Sequence, residues 1–278
     1  MRQGVIRRVG VVGLGKMGRP MARHLRKAGF EVTGCDIDPS ACGEAEKAGI
    51  AIADSPRALA QSSDFIIVVV GFDKEAETVI LGSDGIAAGA APGLLVGVAS
   101  TVAPAHHGAA RCRPSRHRCR AAGHADHARR AGRRGRRAAV MVGGDVAAFD
   151  ACKPALHSFA SSIFHLGDLG AGQVGKMVNN MILWSCISAN FEGFKLAQAL
   201  GVDLDRLRTA LVDSSASNWA LQTQIDRFPM PWAEKDMRIV LGEADDLRLS
   251  LPLCGVVTEV VKSVKIERGW PTPKLRDG

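Results

Sequence analysis

The chain has 278 residues, 46% of them hydrophobic, and 36 Lys and Arg against 28 Asp and Glu, a formal net charge of +8. Residues 105–137 hold eleven Arg and one acid, so this segment carries +10 and the remaining 245 residues carry −2. A protein whose whole surface is a nucleic-acid or membrane footprint is thereby excluded, and any such role must rest on one segment.

Residues 1–8 are basic and lack the apolar core of a leader, and no run approaches the ~18 apolar residues of a membrane helix. Seven cysteines (35, 42, 112, 119, 152, 186 and 254) are scattered without paired spacing. They read as reduced thiols in a cytoplasmic protein without a membrane segment.

Val9-Gly10-Val11-Val12 predicts a strand that ends in Gly13-Leu14-Gly15-Lys16-Met17-Gly18, and Met21, Leu25 and Ala28 then recur at helical spacing. Residues 31–36 predict a second strand ending in Asp36, 40–47 a helix, 65–70 a buried strand, 74–80 a helix and 94–99 a strand. This alternation implies a doubly wound parallel sheet of Rossmann type. From Gly172 to about Leu200 an apolar helical pattern persists far beyond the ~11 residues of an average helix. Residues 203–212, 220–227, 234–244 and 256–267 predict further helices. The expected organisation is a dinucleotide-binding domain at 1–169, with 105–137 anomalous, then an all-α domain at 170–278 begun by the long helix.

A Gly-x-Gly-x-x-Gly turn between a strand and a helix needs its first Gly for the tight bend, its second to admit a pyrophosphate and its third for close packing. The helix amides and macrodipole would then face the anion. Asp36 stands where adenosine ribose hydroxyls would be accepted, and its charge disfavours a 2′-phosphate. NAD is therefore expected over NADP.

On a helix, Gln173, Lys176 and Asn180 share one face. Exchange of hydride at an alcohol carbon, the chemistry that the family resemblance given below implies, needs a group that moves the hydroxyl proton, and a desolvated lysine can serve. Lys176 is the candidate general acid/base, and Asn180 can orient a substrate from one turn away.

Gly13-Leu14-Gly15-Lys16-Met17-Gly18-Arg19-Pro20-Met21-Ala22-Arg23-His24-Leu25 resembles the opening signature of the β-hydroxyacid dehydrogenases, the family of 3-hydroxyisobutyrate dehydrogenase and tartronate semialdehyde reductase. Ser100-Thr101-Val102-Ala103-Pro104 resembles its Ser-Thr segment beside the nicotinamide ribose. The stretch Gly170-Ala171-Gly172-Gln173-Val174-Gly175-Lys176-Met177-Val178-Asn179-Asn180 resembles its catalytic helix, and Lys235-Asp236-Met237 its Lys-Asp motif. The resemblance implies an NAD-dependent 3-hydroxyacid dehydrogenase and a homo-oligomer. It places Lys176 as catalyst, Gln173, Asn180 and Lys235 at the substrate, and the 13–18 turn, Asp36, Val70, Thr101 and Lys235 at the cofactor. Relatives that reduce imines depart from the family's lysine, so Lys176 implies hydroxy-acid chemistry.

Between Pro104 and Ala138 the family's helix, strand and Asp-x-Pro-(Val/Ile)-(Ser/Thr)-(Gly/Arg)-Gly motif are missing. An arm for nucleic acid would suit the Arg clusters, making the chain a catalytically inert relative, yet no aromatics interleave to stack bases. A metal site from Cys112, Cys119, His124 and His127 lacks zinc-module spacing and sits among repelling Arg, so no metal is expected. The third reading is a shifted reading frame. Residues 123–129 can be encoded so that reading one base later gives Asp-Thr-Pro-Ile-Thr-Arg-Gly, a form of the missing motif. If the chain carries these residues as written, weak NAD binding and very low turnover are expected.

Overall fold

The structure, a computed structural model, describes residues 5–100 and 138–271. It divides into two compact units, Met1–Lys176 and Met177–Asp277. In the first, strands β1 (Arg8–Val12), β2 (Glu31–Cys35), β3 (Ala51–Ile52), β4 (Phe65–Val68) and β5 (Leu95–Val98) form one parallel sheet in the order β3-β2-β1-β4-β5. Helices α1 (Gly18–Lys27), α2 (Pro39–Lys47), α3 (Pro56–Gln61), α4 (Asp73–Leu81) and α5 (Ile86–Gly89) supply the crossovers.

Strand β1 from Val9 onward, and β4 and β5 along their whole length, are apolar and buried because both faces are covered. Val9, Val11, Phe65, Ile67 and Leu95 join one core with Leu14, Met21 and Leu25, while Val12, Ile66, Val68, Val96 and Val98 join a second with Leu59 and Ile80. This division follows the period-two alternation of a strand. Chain order reverses across β1 and β4, so the loops beyond their carboxyl ends form the crevice in which doubly wound sheets bind ligands.

The predicted 65–70 strand stops at Val68. Beyond it, Val70 gives its N–H to Ser100 Oγ (2.9 Å) and its carbonyl accepts from the same hydroxyl (2.6 Å), so a side chain takes the place of a ladder. Residues 145–169 show no clear period in the sequence, yet α6 (Val146–His157) buries Ala148, Cys152, Ala155 and Leu156. Strands β6 (Ala138–Gly143) and β7 (Ala160–Gly167) pair in parallel as a separate two-stranded sheet.

Asp64 ties the amino ends of β1 and β4. Its Oδ2 accepts from the backbone of Arg7 (3.0 Å) and Arg8 (2.9 Å), and its Oδ1 accepts from Arg8 Nε (3.2 Å) and Nη2 (2.6 Å). Burial alone would push its pKa up, but the Arg8 side chain and these amides hold it below the usual carboxylate range. A depressed carboxylate stabilises the fold above its unfolded pKa of about 3.9 and ceases to do so as pH falls through the folded value. Asp64→Asn is expected to cost about 1 kcal/mol at pH 7, discounted for partial exposure, with the gap closing below about pH 4. Urea unfolding of both proteins at pH 7 and pH 3 checks this; an unchanged gap at pH 3 counts against the charge.

Helix α7 (Ala171–Ala199) is one continuous element, and the division between units falls within it after Lys176. The second unit adds α8 (Leu204–Val212), α9 (Trp219–Thr223), α10 (Ala233–Asp246) and α11 (Pro252–Glu267). The single helix predicted over 220–227 is instead broken. Gln224 is left-handed at φ +55°, and a 3-10 turn, Ile225–Arg227, follows. Met177, Leu183, Trp184, Ile187, Met237, Val257 and Val261 centre the core of this unit. Among the described residues, two ion pairs are buried in it: Arg208 with Asp226 (2.6 Å) and Lys265 with Glu234 (3.0 Å). The predicted fold class, a Rossmann-like α/β domain followed by an α-helical one, is the one observed.

Candidate active site

At the end of β1 the chain turns at Gly13, whose N–H donates to Cys35 O (2.9 Å) and whose φ is +89°. A Cβ here would lie 2.1 Å from Val69 O, and one on Gly18 would lie 1.8 Å from Gly13 O. Gly15 differs, since a Cβ there would meet no atom within 4 Å. Two glycines thus close the turn, and the third opens it to the outside. Met17, at the start of α1, makes no side-chain cap, and the first turn holds no acid. The positive end of the helix dipole is left for an external anion. These residues fit a dinucleotide pyrophosphate.

Leu14 is buried, while Gly15 and Lys16 are exposed and Met17 is half-buried. Leu14 N donates to Asp36 Oδ2 (2.5 Å), and Asp38 N donates to Asp36 Oδ1 (2.9 Å). Asp36 therefore braces the glycine turn from the next strand. An ionised carboxylate offers about four acceptor positions, so capacity remains for hydroxyl donors. Ile37 beside it is an apolar side chain that is fully exposed.

Both backbone groups of Val70 are held by Ser100, which fastens the carboxyl ends of β4 and β5. In the sequence Ser100 shows only as part of the Ser-Thr stretch, because no local pattern reveals a contact thirty residues away. Thr101 lies outside the described residues, as do the Arg-rich segment and its Cys112, Cys119, His124 and His127.

The next two carbonyls of β5 and its exit receive side chains from α7. Gln173, 1% exposed, donates from Nε2 to Val98 O (3.1 Å), and Lys176 donates from Nζ to Ala99 O (2.9 Å). The structure thus brings Gln173 and Lys176 together at the carboxyl edge of the sheet, where the loops after β1 and β4 also end. Burial pushes the Cys35 thiol up to about 11 and the Cys152 thiol up to about 12, so neither is a thiolate at neutral pH.

In the helical unit, Asn180 is 4% exposed and donates from Nδ2 to Asp236 Oδ2 (2.9 Å), while its Oδ1 accepts from Asn179 Nδ2 (3.1 Å). Trp184 Nε1 donates to the same Asp236 oxygen (3.3 Å). Lys235 lies in the first turn of α10 with its Nζ 5.9 Å from the centroid of the Trp232 ring. Asp236 is not a candidate residue from the sequence alone, although its place beside Lys235 in the Lys-Asp stretch is a signal. Among the described residues, no group of three or more His, Cys, Asp or Glu could hold a metal ion, and no helix is long and apolar enough to cross a membrane.

Residues 8–167 match the family model of the NAD-binding domain of 6-phosphogluconate dehydrogenase, and residues 170–270 match that of the NAD-binding region of NADP-dependent 3-hydroxyisobutyrate dehydrogenase. The chain is 34% identical to an NAD-dependent L-serine dehydrogenase of Pseudomonas aeruginosa over 220 residues, spanning 78% of this chain and 73% of that one. It is 31% identical to a 3-hydroxyisobutyrate dehydrogenase of the same organism, spanning 88% of each. A crystal structure of 3-hydroxyisobutyrate dehydrogenase from Salmonella typhimurium superimposes with a TM-score of 0.79 at 27% identity, covering 95% of this chain and 96% of that one.

Proposed function

The chain belongs to the β-hydroxyacid dehydrogenase family of NAD(P)-dependent oxidoreductases, and from that premise we propose that it interconverts a short 3-hydroxy acid and its oxo acid or semialdehyde with NAD. The substrate is of the 3-hydroxyisobutyrate or tartronate semialdehyde kind. The observation that carries the reading is Lys176 Nζ, anchored 2.9 Å from Ala99 O at the ligand-binding edge of the sheet. Bound dinucleotide supplies the hydride acceptor or donor.

The residues of the chain do the remainder. The Gly13–Gly18 turn and the start of α1 hold the pyrophosphate, and Asp36 accepts from the ribose hydroxyls. Val70, Thr101 and Lys235 complete the cofactor contacts by family resemblance. Lys176 takes the hydroxyl proton at Nζ during oxidation and returns it during reduction. Asn180 orients the substrate hydroxyl or carboxylate, with Gln173 and Lys235 on the same substrate. Association into a homo-oligomer belongs to the same reading and is tested by light scattering.

An NADH absorbance assay with a panel of 3-hydroxy acids tests the function. Turnover with 3-hydroxyisobutyrate, L-serine or a related acid supports it, and NAD binding without turnover on any of them, in this chain and in the frame-restored chain alike, overturns it. Residues 105–137 enter the same test. The shifted frame supplies the substrate motif that the written residues lack, so sequencing the gene over 123–129 and assaying the frame-restored chain beside this one separates a lost motif from a wrong function.

Asp36 carries the cofactor preference. Asp36→Asn preserves an acceptor for Leu14 N but removes the charge that repels a 2′-phosphate. The ratio of kcat/KM with NAD to that with NADP is expected to fall by about tenfold or more, because like charges at contact distance near a protein surface repel by several kcal/mol. An unchanged ratio would show that another group sets the choice.

A further inference from the structure

Asn180 is useful to a substrate only if its amide presents a defined end, because a half-turn about the last side-chain bond exchanges donor for acceptor. Two neighbours remove that freedom. Asn180 Nδ2 faces Asp236 Oδ2 at 2.9 Å, and an ionised carboxylate only accepts, so a flipped amide would set oxygen against oxygen. Asn179 Nδ2 donates to Asn180 Oδ1 at 3.1 Å, which the flip would also break. The carboxylate is itself held, since Trp184, one turn further along α7, donates from Nε1 to the same Oδ2 at 3.3 Å. All three residues of this clamp around Asp236 are buried, at 4% exposure for Asn180, 5% for Asp236 and 8% for Trp184. One N–H and one lone pair of the Asn180 amide stay uncommitted, and their directions are set by the clamp.

We propose that Asp236 is a positioning residue of the reaction, acting through Asn180 by fixing which end of its amide meets the substrate. This rests on Asn180 being the residue that orients the substrate. A merely structural Asp236 would staple α10 to α7, and its loss would lower stability without a specific effect on turnover. A positioning Asp236 predicts a loss that vanishes once Asn180 is gone.

The test is a double-mutant cycle on the full chain with kcat, KM for the hydroxy acid, NAD affinity and thermal midpoint measured for each variant. Asp236→Leu is expected to lower kcat about 100-fold, the scale on which a misplaced contact group costs rate, with NAD affinity unchanged. The Asn180→Ala/Asp236→Leu pair is expected to be no slower than Asn180→Ala alone. Where Asp236→Leu does not accumulate as folded protein, Asp236→Asn carries the test. Its oxygen can still accept from Asn180 but without charge, and about a tenfold loss of kcat at an unchanged midpoint is expected. Full kcat in either Asp236 variant, or losses that multiply in the double variant, overturns the proposal. Full kcat in Asn180→Ala overturns instead the reading of Asn180 on which it stands.

Discussion

Replacing Lys176 with alanine is expected to lower kcat by about 10²–10⁴-fold, the range contributed by a positioned proton-transfer group. The side chain donates to Ala99 O at 2.9 Å, so the substitution also removes one hydrogen bond from the end of β5. That costs roughly 1 kcal/mol, too little to unfold the domain. NAD affinity, measured by titration calorimetry, should therefore hold while turnover in the absorbance assay collapses. Lys176→Arg sharpens the expectation. Arginine keeps the charge and the donor but does not give up its proton at any accessible pH, so it should restore the anchor and leave kcat low. Should either variant turn over within threefold of the parent, the proton leaves by another route and Lys176 is only an anchor.

The second large effect separates the three glycines of the turn. Gly15→Ala is expected to fold normally, since a Cβ there meets nothing within 4 Å, yet to weaken NAD binding by about 10–100-fold. The methyl occupies the space through which a pyrophosphate would approach the backbone, and each charge-assisted hydrogen bond lost is worth about 1.5–3 kcal/mol. Gly13→Ala and Gly18→Ala should behave differently. Their Cβ atoms would fall 2.1 Å from Val69 O and 1.8 Å from Gly13 O, both backbone atoms, and Gly13 also has φ +89°. Strain and overpacking together cost about 2–4 kcal/mol, so these variants should lose stability and cofactor binding at once. Calorimetric unfolding beside NAD titration distinguishes the two patterns. A Gly15→Ala protein with parental NAD affinity would remove the turn from the cofactor site.

The turn was legible in the sequence because its requirements are local. A β-branched run, the three glycines of the turn and a helical period within 20 residues state where the backbone must bend and where it must be bare. Asp36 was also found from spacing, but its bond to Leu14 N was not, since that depends on β1 and β2 pairing in register. The helix carrying Lys176 and Asn180 was visible for the same local reason, its long apolar period. Where the prediction ran past Val68, the missing information was Ser100, whose hydroxyl occupies both backbone groups of Val70. Where one helix was expected over 220–227, the left-handed Gln224 breaks it, and no glycine marks the break. The unpredicted α6 buries small residues, Ala148, Cys152 and Ala155, whose apolar period is faint.

By itself, the sequence determined the class of fold, the dinucleotide turn, the helix of candidate catalytic residues and the confinement of the positive charge to residues 105–137. Each follows from periodicity, composition or the conformational demands of residues close together in the chain. Only the tertiary structure decided what those residues hold: Lys176 against Ala99, Gln173 against Val98, Asn180 against Asp236. These partners lie 77, 75 and 56 residues apart, and they meet because strands pair and helices pack, interactions that a local pattern does not encode.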